Sequence, residues 1–428
     1  MTLKEVIKAI NGISNINSNI KIKDIKTDSR KINKGDLFIA IKGDKYNGHN
    51  FIDEAIKNGA YACISEERLN DKCILVKSTI KSLYLLGSYF RNKYNIPLIA
   101  ITGSNGKTTT KDLIAYILSS KYKVLKSLDS KNNVIGITDT LFKLNNKHNV
   151  IVMELGSNHI GEISYLSKLC KPDTSVITNI GSSHLKYFKT RKNIFKEKTS
   201  ILNGMNSNNL IINGDDKYLG KLEFYKCGEK ENNNLIAYNV YEDINFITFS
   251  IYLDKEYKIK FNNPGKHFIT DILLAIKVCL DYKIDINTII KRISKFKLTN
   301  KRMNIIKYKT NVIINDCYNS SLESIKAGIE YMSNIDSKKI FIIGDILELG
   351  RYSNKIHRKI NKLLKNINNK EVYTVGKYSR YIEGINYKDS NELIQNIRNI
   401  ENSYIYIKGS RKMNLDKVVD YLTKKSII

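Results

Sequence analysis

The sequence predicts an α/β protein of three domains built on parallel sheets, and three observations predict it. The chain has 428 residues, enough for about three domains with separate cores. From about residue 94 onward, short apolar runs alternate with helical patterns, as in repeated βαβ units. One of those runs breaks into a glycine-rich turn at Ile99–Lys111, IAITGSNGKTTTK.

In chain order, the first ~93 residues read as one compact unit without that alternation. Thr27-Asp28-Ser29-Arg30 forms a turn that feeds the strand pattern Gly35 to Ile41. A short helix with Phe51, Ile52, Ala55 and Ile56 follows and stops at Gly59. Ser29 and Arg30 can hold a phosphate, since arginine forms paired charge-assisted bonds. Taken alone, a helix cap and a solvated arginine is the favoured reading of the pair.

The second unit spans 94–300. Pro97 to Ile101 reads as a buried strand, followed by Gly103, Ser104, Asn105 and Gly106, then Lys107 and three threonines opening a helix. Strand, glycine turn and helix make an anion cradle, because backbone N–H groups and the helix N-terminus converge on phosphate oxygens. Lys107 would reach the terminal phosphates and the Thr108 hydroxyl would ligate Mg²⁺. Only two residues separate the glycines, so this loop is shorter than the usual P-loop. Further strands are expected at Asn149–Leu155, Thr174–Ile180 and Leu210–Asn213. Chemistry should gather at their carboxyl ends. Glu154 ends one strand and can hold Mg²⁺ beside the loop. His184 follows another, where a metal, a substrate or loop packing are all open. His159, in GSNHIGE, has helix capping as a sufficient account. A helix is expected over Asn193 to Leu202, strands over about 232–262, and a helix from Phe268 to about Tyr282.

The third unit, 301–428, opens near Lys301-Arg302-Met303. Apolar runs at Asn311–Asn315, Lys339–Gly344, Glu371–Val375 and Tyr404–Ile407 predict a second open sheet. Asp316, Asp345 and the Lys408–Arg411 segment would then line its strand ends.

Composition narrows the function classes. The formal charge is +29, but the basic residues are spread along the chain, with no basic block or RNA-binding aromatic signature. Lys, Asn, Ile and Tyr are abundant and share A/T-rich codons, so drift in base composition accounts for much of the charge. Nucleic acid is therefore not an expected partner, and a basic ATPase that binds it is the distant alternative. No apolar run approaches the ~18 residues of a membrane span. The opening MTLKEVIKAI carries Glu5 and lacks the apolar core of a secretory signal. Six scattered cysteines suit reduced thiols in a cytoplasm.

Taken together these strings resemble the Mur ligases, ATP-dependent amide-forming enzymes of bacterial cell-wall synthesis. The resemblance rests on Thr102–Thr109, Thr27–Arg30 with Gly35–Phe38, Asn132-Asn133 with Gly136, Glu154–His159, Asp316–Asn319, and Gly344-Asp345 with Glu348–Gly350. It lies closest to the branch that adds D-alanyl-D-alanine to a UDP-N-acetylmuramoyl-tripeptide. An amine or depsipeptide donor of another kind is the alternative within the family. The resemblance implies an N-terminal domain (1–93) for the UDP end of the acceptor, a central P-loop ATPase domain (94–300), and a C-terminal Rossmann-like domain (301–428). It implies ATP and Mg²⁺, an acyl-phosphate intermediate, and a monomer.

Residue roles follow from it. Gly103 to Thr109, with Arg302 and Asp316, would bind ATP. Ser29, Arg30, Asn132, Asn133, Asn158 and His159 would bind the acceptor. Thr108 and Glu154 would hold one Mg²⁺, His184 matches the family's ligand for a second, and Lys198 falls where the family carries an N-carboxylated lysine that ligates metal. Neighbouring Lys196 leaves that placement open. Lys107, Lys198, His184 and Arg302 would be catalytic. Two departures stand out. After His267 the family has two asparagines near the adenine, where this chain has Phe268 and Asp271. After Asn319 an Ala-Asn-Pro is replaced by Ser320-Ser321-Leu322.

Overall fold

Leu98–Thr102 reads LIAIT and is buried along its whole length, as a strand must be when helices cover both faces of a parallel sheet. It lies inside a seven-stranded parallel sheet, between Val150–Glu154 on one side and Thr174–Ile177 on the other. Val124–Lys126 extends the first side. Leu210–Asn213, Tyr225–Gly228 and Leu235–Ile236 extend the second. The chain thus fills one flank and then crosses to the other, which makes the carboxyl end of Leu98–Thr102 a topological switch point, where open α/β sheets bind ligands.

The computed structural model describes residues 1–43, 46–128, 131–298, 301–397 and 400–423. The expected junction at 300/301 and the end of the third unit at 428 lie at or outside the edges of the described residues. Before the central sheet comes a four-stranded parallel sheet, Ile25–Lys26, Leu37–Ile39, Ala62–Ser65 and Cys73–Leu75, paired in chain order. Helix Leu3–Ile10 packs on it through Leu3, Val6 and Ile10 and starts in a Thr2/Glu5 capping box. Helix Thr79–Lys93 then leads out of this domain and onto the central one. The buried Arg91 guanidinium donates to the carbonyls of Cys170 (2.6 Å) and Tyr94 (3.0 Å). Phe90 meets Phe142, and Tyr84 meets Tyr165. These contacts fasten the first domain to the central one around Phe142 and along helix Glu162–Cys170.

After the central sheet, Tyr238–Glu242, Ile247–Tyr252 and Glu256–Phe261 form a small antiparallel sheet. The third domain has six strands in the order Asn304–Tyr308, Asn311–Asn315, Ser403–Lys408, Lys338–Gly344, Lys370–Val375, Ile385–Tyr387. All pair in parallel except the first, an antiparallel edge that the sequence pattern did not reveal. Its residues are mostly half-buried, so they lack the continuous apolar run of an inner strand. One apolar cluster runs from the central sheet into a face of this one.

Two expected elements are shorter or shifted. The strand expected to reach Ile180 ends at Ile177, because Thr178 to Gly181 turn away to bond the glycine loop. The helix expected over 193–202 runs Arg191–Thr199, capped by the Thr190 side chain, and a 3-10 turn, Ser200–Gly204, completes it.

Candidate active site

The loop needs both of its glycines. Gly103 has φ +143, and a Cβ there would fall 2.0 Å from Thr178 Oγ1. Gly106 has φ +81, and a Cβ would fall 2.3 Å from Asp271 Oδ1. No L side chain suits that combination of dihedral and space. Helix Lys107–Leu118 begins at Gly106 with no side-chain cap, so its N-terminal dipole is open to an anion. The neighbouring strand end holds the loop from below. Ser104 N–H donates to Asn179 O (3.0 Å), Asn105 N–H to Asn179 Oδ1 (3.0 Å), and Gly181 N–H to Ser104 Oγ (2.8 Å).

Three cations meet around the loop. Lys107 Nζ folds back onto the carbonyls of Gly103 (2.9 Å) and Ser104 (3.0 Å). Arg302, from the third domain, lies 4.1 Å over the Tyr318 ring and donates to Thr108 Oγ1 at 3.0 Å. Lys198 is buried and donates to Ser157 Oγ at 2.9 Å. Burial, reinforced by the Lys107 charge, brings Lys198 down to about 7. Burial lowers Lys107 as well, with Arg302 adding to the effect and Glu154 opposing it. The neighbouring carboxylate is Glu154, which accepts from Thr108 Oγ1 (2.7 Å) and Asn132 Nδ2 (2.8 Å). Glu154 N–H donates to Ser127 Oγ (3.1 Å), and Lys111 Nζ donates to Ser127 O (2.8 Å). The pair Thr108–Glu154 is therefore oriented from two sides.

Gly103, Ser104, Lys107, Asn132, Asn158, His184 and Lys198 line one crevice. Of the two neighbouring lysines, Lys198 faces that crevice while Lys196 is exposed to solvent. His184 sits on its rim in a left-handed conformation (φ 57), its Nδ1 against the Glu348 carboxylate of the third domain.

Other candidates stand apart. Ser29 donates to Glu54 (2.9 Å), and Arg30, 80% exposed, pairs with Asp28 in its own turn. Asn133 is the N-cap of helix Val134–Leu141. His159 is exposed, beside Glu162 and the Tyr187 ring. Asp316 is enclosed by Lys408 Nζ, Tyr406 OH (3.2 Å) and Met303 N–H (3.3 Å), so the carboxylate expected at a ribose is engaged inside its own domain. Thr109 is buried in the first helical turn.

The two departures have structural consequences. Asp271 lies against Gly106, where burial raises its carboxyl to about 7. Ser321 caps helix Leu322–Ser333, and its hydroxyl donates to Asn105 Oδ1 (3.0 Å) in the phosphate loop. Beside it, Glu323 accepts from Ser182 Oγ (2.8 Å) and pairs with Arg191 (2.9 Å).

Four contributors were not read from the sequence: Ser127, Lys111, Glu197 and Glu323. Buried Glu197 accepts from Gly161 N–H (2.6 Å) and Ile163 N–H (2.8 Å), fixing the turn that carries Asn158 and His159. A charged residue on an otherwise apolar helix face was the available signal for Lys111. The others needed the tertiary structure.

The residues present fit a magnesium nucleotide. Mg²⁺ is commonly held by one or two carboxylates plus substrate phosphates, and Thr108 with Glu154 supplies a hydroxyl and a carboxylate 2.7 Å apart. Among the described residues no group of three or more His, Cys, Asp or Glu could hold a metal ion by itself. As an ammonium Lys198 cannot ligate a cation, so its part depends on losing that charge.

Sequence patterns of known families match all three units. These are the Mur ligase family catalytic domain at residues 21–86, the Mur ligase middle domain at 101–279, and the Mur ligase glutamate ligase domain at 301–424. The chain is 33% identical to the UDP-N-acetylmuramoyl-tripeptide–D-alanyl-D-alanine ligase of Buchnera aphidicola subsp. Baizongia pistaciae, over 95% of this chain and 93% of that protein. Its fold matches the crystal structure of MurF from Acinetobacter baumannii with a TM-score of 0.92, at 26% identity, over 99% of this chain and 98% of the other. It also matches MurF ligase from Thermotoga maritima in complex with ADP, with a TM-score of 0.85, at 25% identity, over 94% of this chain and 97% of the other.

Proposed function

The chain belongs to the Mur ligase family, and we propose that it joins D-alanyl-D-alanine to a UDP-N-acetylmuramoyl-tripeptide, releasing ADP and phosphate. The observation that carries this reading is the reach of Arg302 from the third domain to Thr108 of the phosphate loop. It puts the loop at a domain interface, where a phosphorylated acceptor can meet an amine out of water. The domains are taken as 1–93 for the UDP end, 94–300 for ATP and 301–428 for closure, and the chain as a cytoplasmic monomer.

A carboxylate is a poor acyl donor until its oxygen carries a good leaving group. The acceptor carboxylate attacks the γ-phosphorus of ATP, the bond to ADP breaks, and an acyl phosphate forms. The donor amine, having given up a proton, attacks the acyl carbon, and phosphate departs as the amide forms. Positioning and charge neutralisation carry most of such a reaction. In this chain Lys107 would swing from the Gly103 and Ser104 carbonyls to the β/γ-phosphates. Arg302 would approach them from the opposite domain. Gly103 to Thr109 would wrap the phosphates with N–H groups, and Ser29, Arg30, Asn132, Asn133, Asn158 and His159 would hold the acceptor. Asp316, bonded to Lys408 and Tyr406 within the third domain, would have to exchange one of those partners to order the nucleotide. Thr108 and Glu154 would hold one Mg²⁺, and His184 with Lys198 a second, supplying positive charge to the transferred phosphate.

For Lys198 this needs a carbamate. Its neutral amine would bond to CO₂ and release a proton to solvent, replacing an ammonium with an anion. Burial and the Lys107 charge favour the neutral amine, and the carbamate removes a like-charge contact between the two lysines.

The purified protein should release phosphate from ATP only when both the tripeptide nucleotide and the dipeptide are supplied. Equal release without the dipeptide would overturn the reading. Faster turnover with a depsipeptide than with D-alanyl-D-alanine would redirect it to the other donor.

A further inference from the structure

A second crevice, of about 360 Å³, opens between helix Leu185–Phe188 of the central domain and the turn at Leu349 to Tyr352 of the third. We propose that it binds the terminal carboxylate of the dipeptide amine donor, an inference that rests on the ligase reading above. Small-molecule sites commonly have roughly 300–1,000 Å³, so the volume suits a short peptide.

Location is the first argument. His184 lines the crevice that holds Lys107 and Lys198, and the next residue, Leu185, lines this one. On the facing wall, Glu348 touches His184 while Leu349 lines the second crevice. The two spaces share a wall, and Lys186 N–H closes it by donating to Glu348 O at 2.8 Å. An extended dipeptide spans at most about 7 Å. With its carboxylate here, the donor would lie beside His184, the residue that separates the two crevices in the chain.

Charge is the second. Lys186, Lys189 and Arg351 ring the opening, all exposed, and none forms an ion pair with a carboxylate among the described residues. Arg351 is steadied by Tyr352, whose hydroxyl accepts from Nη2 at 3.1 Å. Leu185 and Leu349, both buried, give the floor an apolar surface suited to methyl side chains. Glu348, at the inner edge, is already engaged by His184.

Backbone strain is the third. His184, Lys189 and Glu348 carry φ of 57, 66 and 65, and Lys189 combines its value with ψ −41, outside the ordinary left-handed region. Lys189 lines this crevice, while His184 and Glu348 immediately precede its lining residues Leu185 and Leu349, so the strain flanks both walls and marks a surface shaped for something other than the stability of its own chain.

The test is steady-state kinetics on the full-length protein with D-alanyl-D-alanine and with its C-terminal amide, which keeps the amine and loses the charge. The wild type should show a KM for the amide at least tenfold above that for the acid. In the Lys186→Met/Arg351→Met double variant the KM for the acid should rise until the two donors differ less than threefold. KM for ATP and for the tripeptide nucleotide should stay within twofold. Arg351→Gln alone, at an exposed position, should narrow the ratio about threefold and serves if the double variant does not fold. An unchanged donor ratio overturns the proposal, and so does a rise confined to the nucleotide, which would assign these cations to a carboxylate of the acceptor. A wild type that uses neither donor refutes the ligase reading itself, a separate result.

Discussion

The stretch Gly103 to Thr109 is held from two domains, whereas Thr27 to Arg30 is held within its own domain, by Asp28 in the turn and by Glu54 and Asn58 on the helix that follows. Asn179 and Gly181 bond the first from the central domain, where Asp271 lies against Gly106, and Ser321 and Arg302 bond it from the third. In the second, Asp28 caps the Ser29–Lys31 turn and pairs with Arg30, whose guanidinium stands in solvent. A cradle fixed in advance loses little freedom when phosphates arrive, so its groups act on the transition state. A solvated arginine must be immobilised on binding, and its contribution falls on affinity alone. The two regions should therefore fail in different kinetic constants.

The largest effects belong to the cradle. Lys107→Ala and Glu154→Ala should each lower kcat by about 10²–10³-fold, the range for removing a charge aimed at the reacting group. Circular dichroism should still report a folded protein. Unchanged kcat in either would break the contrast and remove the phosphate-loop assignment. Lys198→Ala should lose a similar factor and recover part of it on addition of a short carboxylate such as acetate. Lys196→Ala, altering an exposed side chain, should stay within twofold. Without added bicarbonate, wild-type activity should fall below pH 7, because Lys198, held near 7, is then increasingly protonated and an ammonium cannot take up CO₂. A profile flat from pH 6 to 8 would argue against the carbamate.

The domain interface should give intermediate effects. Glu323→Gln removes the charge that Arg191 pairs with and keeps an acceptor for Ser182. Surface ion pairs contribute little to stability, so the melting temperature should barely move. Turnover should drop about three- to tenfold if this pair helps the third domain stay closed during the reaction. A matching loss in Ser321→Ala, which frees Asn105, would sharpen the case that closure and loop geometry are one event.

These differences also explain what could be read from the sequence. The phosphate loop is written in consecutive residues, because strand, glycine turn and helix are local consequences of local chemistry, and Glu154 announces itself as a carboxylate ending an apolar strand. The fold class follows from the alternation of buried strands with helices. Ser127, Lys111 and Glu323 were not legible, since each acts through a partner between 16 and 141 residues away. Asp316 shows the opposite case. A strand-end aspartate looks free in sequence, but Lys408, arriving 92 residues later on the adjacent strand, claims it. The edge strand Asn304–Tyr308 escaped because a half-buried edge carries only half of the apolar signal.

The smallest predicted effect is the most discriminating for the N-terminal turn. Arg30→Ala removes a guanidinium whose bonds run to Asp28 in the same turn. Nothing in the core depends on it, so thermal stability should not change. If the guanidinium leaves Asp28 to meet a phosphate of the UDP group, KM for the tripeptide nucleotide should rise about three- to tenfold, with kcat and the KM for ATP unmoved. Arg30→Lys should recover only part of the loss, because an ammonium cannot make the paired bonds of a guanidinium. If Arg30→Ala instead lowers kcat at saturating nucleotide, the turn takes part in closure, and the division between a fixed cradle and a mobile anchor does not hold.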